Sequence, residues 1–233
     1  GQTRPPAEIV VVDDASRDGT VAAVSRIAAG HAQVRLIRLT ANRGAYFARN
    51  VGLAAAAQPF VAFHDADDFA HPQRLETALA PLLADPQLHA TTSRCVRLSD
   101  DGLFGEARVW PLTRWNPISL VLRREVVLAR VGYFEDTRFG ADSEYVARLR
   151  TVLGERHHRL LAQPLALFGQ RAGSLTTGGA AGFDEQARSA QRIAYQQVWT
   201  ERHLDSLLRG TSLYLARPAE VATVLRDAGG ATR

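Results

Sequence analysis

Residues 60–68 read Phe60-Val61-Ala62-Phe63-His64-Asp65-Ala66-Asp67-Asp68. Four apolar residues in a row suit a short buried strand. Three carboxylates then crowd together where that strand would leave its sheet. Like charges this close raise one another's cost of ionisation unless positive charge lies among them. A divalent cation is the simplest counter-charge. Hard oxygen ligands suit Mg²⁺ or Mn²⁺, ions that also hold phosphate oxygens. The stretch points to a phosphorylated ligand, most simply a sugar nucleotide.

Spacing removes two other readings of the acids. A calcium loop opening at Asp65 would find its bidentate acid at Glu76, but Phe69 stands where a ligand should be. Ala70 stands where that loop requires glycine, and Pro72 where it needs a flexible carbonyl. A haloacid-type phosphatase would need Thr or Val at position 69, which is Phe. A solvated turn capping the following helix stays open on position alone.

The segments before this stretch repeat a simple alternation. Glu8–Val12 reads as a buried strand, Thr20–Ala29 as a helix, Val34–Leu39 as a strand and Ala45–Ala57 as an Ala-rich helix. Phe60–Phe63 is the third strand, and Pro72 opens a helix running to about Ala84. Strand and helix in alternation predict an α/β fold with an open, mostly parallel, Rossmann-like nucleotide-binding sheet. Ligands of such sheets bind beyond the carboxyl ends of the strands. Asp13-Asp14, Asn42-Arg43-Gly44 and Asp65–Asp68 all fall at those ends.

After residue 90 the pattern changes. Thr91–Leu98 and a segment beyond Asp100-Asp101-Gly102 predict a hairpin. Ile118–Arg123 predicts a strand, followed by a short helix to about Val131. Gly140–Leu153 predicts a helix and Pro164–Phe168 a strand. Residues 184–209 predict a long polar helix, with a shorter one in the tail. The expected organisation is a domain over 1–180 and a helical C-terminal extension over 181–233.

Composition narrows the chemistry. The 233 residues are 46% hydrophobic and 22% charged, a globular balance with a net charge of +4. All 28 basic side chains are arginine. Without lysine, a Walker-type phosphate loop and Schiff-base catalysis are excluded. So is a receiver domain, whose acidic pair works with a lysine. Arginine is left as the fixed cation for phosphate, which its planar fork suits. The arginines are scattered among acids, which argues against nucleic acid as a partner. No apolar stretch is long enough to span a bilayer. Cys95 is the one cysteine, read as a buried residue of its strand in a reducing, cytoplasmic setting. Peripheral contact with the inner membrane face is compatible with this.

Taken together, these residues resemble a known family. Val11-Val12-Asp13-Asp14-Ala15-Ser16-Arg17-Asp18-Gly19-Thr20 is similar to the opening signature of family 2 glycosyltransferases. Asn42-Arg43-Gly44 with Ala48-Arg49-Asn50-Val51-Gly52 resembles that family's "NxG…ARNxG" stretch. Asp65-Ala66-Asp67-Asp68 with Pro72 and Leu75 resembles its "DxDD…P..L" metal motif. The resemblance covers about residues 8–175 and implies a GT-A-type fold and a metal-dependent inverting transfer. The donor would be a nucleotide sugar, commonly UDP-linked, and the acceptor a glycan, a lipid-linked sugar or a protein. Surface polysaccharide or glycoconjugate assembly in a bacterium is the implied setting.

The resemblance also implies roles. Asp13 or Asp14 would read the nucleobase, within a donor site that includes Asn42 and Gly44. Asp65 would contact the ribose or share the metal. Asp67 would bind Mn²⁺ or Mg²⁺ at the diphosphate. Arg49 would anchor the nucleotide, unless it is an exposed helix arginine. Asp142, in Phe139-Gly140-Ala141-Asp142-Ser143-Glu144-Tyr145, would be the base that deprotonates the acceptor hydroxyl. The family's Glu-Asp pair is here Ala141-Asp142. Glu144 is the fallback base, although two residues along a helix it points about 200° away. Arg171-Ala172-Gly173-Ser174-Leu175-Thr176 resembles the family's donor-closing segment, with an ordinary surface loop the alternative.

Trp110 and Trp115 read as core packing or as platforms for an acceptor sugar. His157-His158 reads as solvated at a helix end. The family's first strand and helix have no counterpart before Gly1, and the chain contains no methionine. The expectation is a sequence that starts inside a longer one, or a chain that is inactive and poorly stable alone. A non-catalytic sugar-nucleotide binding module is the competing reading. A nucleotidyltransferase is disfavoured by the absence of lysine.

Overall fold

The computed structural model describes residues 1–99, 112–170 and 189–230. The first half alternates as expected: β1 (Ile9–Asp13), α1 (Thr20–Gly30), β2 (Val34–Arg38), α2 (Ala45–Ala55), β3 (Phe60–Ala62), β4 (Phe69–Ala70) and α3 (Arg74–Ala84). Then come β5 (Ala90–Ser99), β6 (Arg114–Arg123), α4 (Arg124–Arg130), α5 (Ala141–Leu153) and β7 (His158–Gln170). Two helices close the chain, α6 (Ala190–Arg209) and α7 (Ala219–Gly230).

The α/β class stands, but the strands pair in a mixed rather than a mostly parallel sheet. β1 and β2 form a parallel pair of their own. The larger sheet runs β3-β6-β5-β7-β4, with β5·β7 parallel and the other three pairs antiparallel. A strand buried on both faces carries the same apolar run whichever way its neighbour points, so direction was not readable from the pattern. β1 and β3 share no ladder bonds among the described strands.

Several boundaries also move. β7 extends well beyond Pro164–Phe168, and Pro164 is accommodated where the β5·β7 register shifts around Arg94. The hairpin partner expected just after Asp100, and residues 184–188 of the expected long helix, lie outside the described residues. Cys95 is buried in β5, as expected.

β6 is the spine of the core. Ile118, Leu120 and Leu122 alternate onto one face, against Val127, Val131, Tyr145, Val146 and Leu149 of the α4–α5 side. Val121 takes the opposite face with Ala78 and Leu82 of α3. A third cluster joins β2 and α2 to α7, where Ile37, Phe47 and Val51 surround the fully buried Val221. α2 thus faces two ways. Phe47 and Val51 enter this third cluster, while Tyr46 and Leu53 enter the main one.

Candidate active site

The site is assembled at the start of α2. Asp14 leaves β1 and accepts hydrogen bonds from the backbone N–H groups of Arg43 (2.7 Å) and Gly44 (2.8 Å), one on each carboxylate oxygen. An acid on free amides at a helix N-terminus is stabilised twice, by hydrogen bonding and by the helix dipole. Asp13 is 4% exposed and accepts from the Ser16 N–H. Gly44 has φ +92°, and a Cβ there would stand 3.2 Å from Arg138 Cδ. Arg138 in turn donates to Asn42 Oδ1 at 2.6 Å. Arg43 pairs with Asp136 at 3.2 Å. The loop that opens α2 and the loop that leads into α5 are therefore interlocked.

One turn into α2 stands Arg49. Its side chain is 13% exposed and pairs with Asp65 at 2.5 Å, which removes the exposed-arginine reading. Burial opposes its charge, yet Asp65, Tyr46 and Asp142 together hold it above its ordinary value. Tyr46 beneath it is driven well above the normal phenol range, first by burial and then by the charge of Asp142. Asp65, Arg49, Tyr46 and Asp142 thus form one electrostatic cluster joining the end of the third strand to the start of α5.

Asn50, next to Arg49, explains why α2 and the approach to α5 cannot drift apart. It is fully buried, donating to Phe134 C=O and accepting from Phe134 N–H, each at 2.9 Å. Asp142 itself is half-buried in the first turn of α5 and accepts from the Ser143 N–H at 2.8 Å. The preceding Gly140 adopts a left-handed conformation, φ +77°.

Glu144 has a different task. It is fully buried and bonds Arg148 through both oxygens, at 2.9 and 3.0 Å. Arg202 and His203 of α6 reach it at 3.2 and 3.0 Å. Burial would raise its pKa, but His203 and Arg148 hold it below the ordinary value. A carboxylate sealed in this network cannot serve as a base to solvent-borne substrate, so the fallback assignment is corrected to a structural one.

The acidic stretch carries partial internal compensation. Arg49 answers Asp65. Arg74, 4% exposed, lies beneath, donating to the Phe63 carbonyl; burial lowers its pKa against the pull of Asp65 and Asp68. Its buried Nε has no hydrogen-bond partner. Sequence reasoning missed Arg74; its spacing of six residues from Asp68, in the first turn of α3, was the available signal. Even so, burial and then the charges of Asp65 and Asp67 push Asp68 up to about 8. Three acids crowded this closely oppose one another's ionisation, a cost that a bound cation would relieve. Among the described residues no group of three or more His, Cys, Asp or Glu could by itself hold a metal ion.

Other expectations resolve as follows. Arg171 and Trp110 lie outside the described residues. Trp115 is 40% exposed rather than core. The two histidines are not solvated. His157 is 8% exposed and stacks on His89 with ring centroids 5.0 Å apart. His158 bonds the Thr92 hydroxyl at 2.9 Å. No helix among the described residues is long and apolar enough to cross a membrane.

An α/β domain with a mixed sheet and this strand-end site is a GT-A-type glycosyltransferase fold, the fold of its structural neighbours. TarS of Staphylococcus aureus, solved with UDP-GlcNAc, superposes with TM-score 0.59 at 20% identity over 74% of this chain and 53% of that one. The mannosyltransferase PcManGT of Pyrobaculum calidifontis, solved with GDP-Man and Mn²⁺, gives TM-score 0.54 at 23% identity over 100% and 69%. In sequence, the succinoglycan biosynthesis protein ExoO of Rhizobium meliloti is 48% identical over 68 residues, 29% of this chain and 19% of that protein. The chain belongs to Glycosyl transferase family 2, whose model matches residues 1–146. Its matches to the curated relatives span 19–31% of their lengths.

Proposed function

We propose that this chain forms the core of an inverting glycosyltransferase that moves a sugar from a UDP-linked donor to an acceptor hydroxyl. One observation carries the reading: the buried Arg49 of α2 pairs with Asp65, at the end of the third strand, at 2.5 Å, with Asp142 of α5 near enough to add to the hold on its charge. In this reading the acid assigned to the donor and the base assigned to the acceptor share one buried cation. Family membership supports sugar transfer as the reaction class.

In this reading Asp13, Asp14, Asn42 and Gly44 border the nucleoside, and Arg49 anchors the nucleotide through Asp65. Asp67, with Asp65, would hold Mn²⁺ or Mg²⁺. The ion would supply Lewis-acid stabilisation of charge on the departing diphosphate. Asp142 takes the proton of the acceptor hydroxyl while its oxygen bonds to the anomeric carbon. The bond from that carbon to the diphosphate oxygen breaks, and its electron pair leaves with the nucleoside diphosphate. Attack opposite the leaving group inverts the centre. Tyr46 and Arg49 lie beside the Asp142 carboxylate and would orient it toward the acceptor.

The test is UDP affinity, measured with and without Mn²⁺ in the full-length protein and in Asp67→Ala. Mn²⁺ is expected to tighten UDP binding about tenfold or more, a gain of at least ~1.4 kcal/mol that Asp67→Ala removes. Tight, metal-independent UDP binding unchanged in the variant contradicts the metal assignment.

A further inference from the structure

Between α5 and α6 lies a cleft of about 430 Å³ that the reading above leaves unused. Its lining begins at Gly140 and Ser143, which flank Asp142 along the chain, and follows α5 to Arg150. Trp115 from β6 and Tyr195 and Trp199 from α6 supply aromatic walls. Arg150 and Arg192 add positive charge, and among the described residues that line it none is a carboxylate. We propose that this cleft binds the acceptor, and that the sugar it receives is anionic, bearing a carboxylate or a phosphate. The inference rests on the glycosyltransferase reading of the neighbouring site.

Three observations support it. Trp115 leaves 40% of its surface exposed while its indole N–H donates to Thr92 at 3.2 Å, so the ring is held at the surface and not buried. An indole fixed at an open cleft costs apolar exposure unless something covers it. The carbon–hydrogen face of a pyranose ring matches such a platform, and polar groups beside aromatics set its orientation. Charge is the second observation. Arg192 sits over Phe139 at 5.7 Å, and Arg150, 42% exposed, is engaged on one side by Glu155. Planar guanidinium groups beside stacking rings are suited to carboxylate and phosphate oxygens.

Rigidity is the third. α6 is fastened to α5 and to the approach to it by Arg202 and His203 on Glu144 and by the Tyr195 hydroxyl donating to Glu135. Tyr195 packs on Gly140, where a Cβ would meet its ring at 3.0 Å. The wall carrying Trp199 is therefore locked to the helix that bears the base, and the cleft is formed before any ligand arrives.

The test titrates the protein with glucose, glucuronic acid and glucose 6-phosphate, following the indole N–H resonances of ¹⁵N-labelled tryptophan. Saturable shifts of the Trp115 and Trp199 signals are expected with an anionic sugar, with glucose about tenfold weaker. The preferred anionic probe separates carboxylate from phosphate. Trp199→Ala should weaken binding about five- to tenfold, as expected for one lost aromatic contact, and Trp199→Phe should restore most of it. Arg192→Gln should narrow the gap between anionic and neutral sugars. No saturable shift with any probe, equal binding of glucose, or binding indifferent to both Trp199→Ala and Arg192→Gln overturns the proposal. These titrations need no turnover. Sugar binding without any donor turnover defeats the enzyme reading alone, and turnover whose acceptor KM ignores Trp199→Ala defeats the cleft alone.

Discussion

At the residue scale, the chain divides its acidic groups between those bonded into the fold and those the proposed mechanism assigns to the substrate. Asp14 spends both oxygens on the entry to α2, and Glu144 spends its own on Arg148 and α6. Asp65 and Asp142 are left around Arg49. The sequence located these acids at strand ends and helix starts because local patterns mark those positions. It did not separate the two kinds, because the difference lies in partners remote in sequence. Asn50 shows the same limit: its motif was visible, but its partner, Phe134, is 84 residues away. Replacing Asn50 by Ala removes two buried hydrogen bonds and orphans the Phe134 amide and carbonyl. Chemical denaturation should register a loss of about 2–4 kcal/mol. Loss of less than ~0.5 kcal/mol would mean the two segments are held by other contacts.

At the element scale, α5 works as a hinge pin between site and scaffold. Its first turn carries Asp142, and its buried face carries the Glu144–Arg148 pair that receives α6. Glu144→Ala leaves the Arg148 guanidinium buried without its counter-charge, a change that costs about 3–5 kcal/mol in comparable buried pairs. Thermal or denaturant unfolding measures it, and an unchanged midpoint would contradict the role assigned to the network. β7 offers a pH test. Burial, and then the positive charge of Arg150, bring His158 down to about 4, so the folded state holds it neutral beside Thr92. The unfolded chain binds the proton at the ordinary value near 6.5. Stability is therefore complete above about pH 6.5 and falls as the pH drops toward 4, by on the order of 2 kcal/mol once partial exposure is allowed for. His158→Gln should flatten that stretch of the stability–pH curve. A slope unchanged in the variant would assign the acid sensitivity to other groups.

At the scale of the whole molecule, the two C-terminal helices pack against the α/β part of the chain. Val221 of α7 fills the cluster between β2 and α2, and α6 completes the Glu144 network. A chain ending at residue 188 should lose its cooperative unfolding transition, and retention of that transition would show that the helices are dispensable. The α/β class was legible in the order of motifs over residues 8–68, as was the convergence of polar clusters on the strand ends that the proposed site uses. Sheet direction was not, since β5, β6 and β7 carry the same kind of apolar run whether paired parallel or antiparallel. The two-residue strand Phe69–Ala70, whose Phe69 is 76% exposed, was invisible for want of any pattern.

The central claim is that Asp142 serves as the base of a nucleotide-sugar transfer at this site. Its most direct measurement is UDP release from a UDP-sugar with acceptor and Mn²⁺, run side by side on the full-length protein and Asp142→Asn, with UDP affinity recorded for both. The account predicts a fall in turnover of about 10²–10⁴-fold, the contribution of a positioned general base, with UDP affinity essentially unchanged. Equal turnover in the two proteins would contradict it.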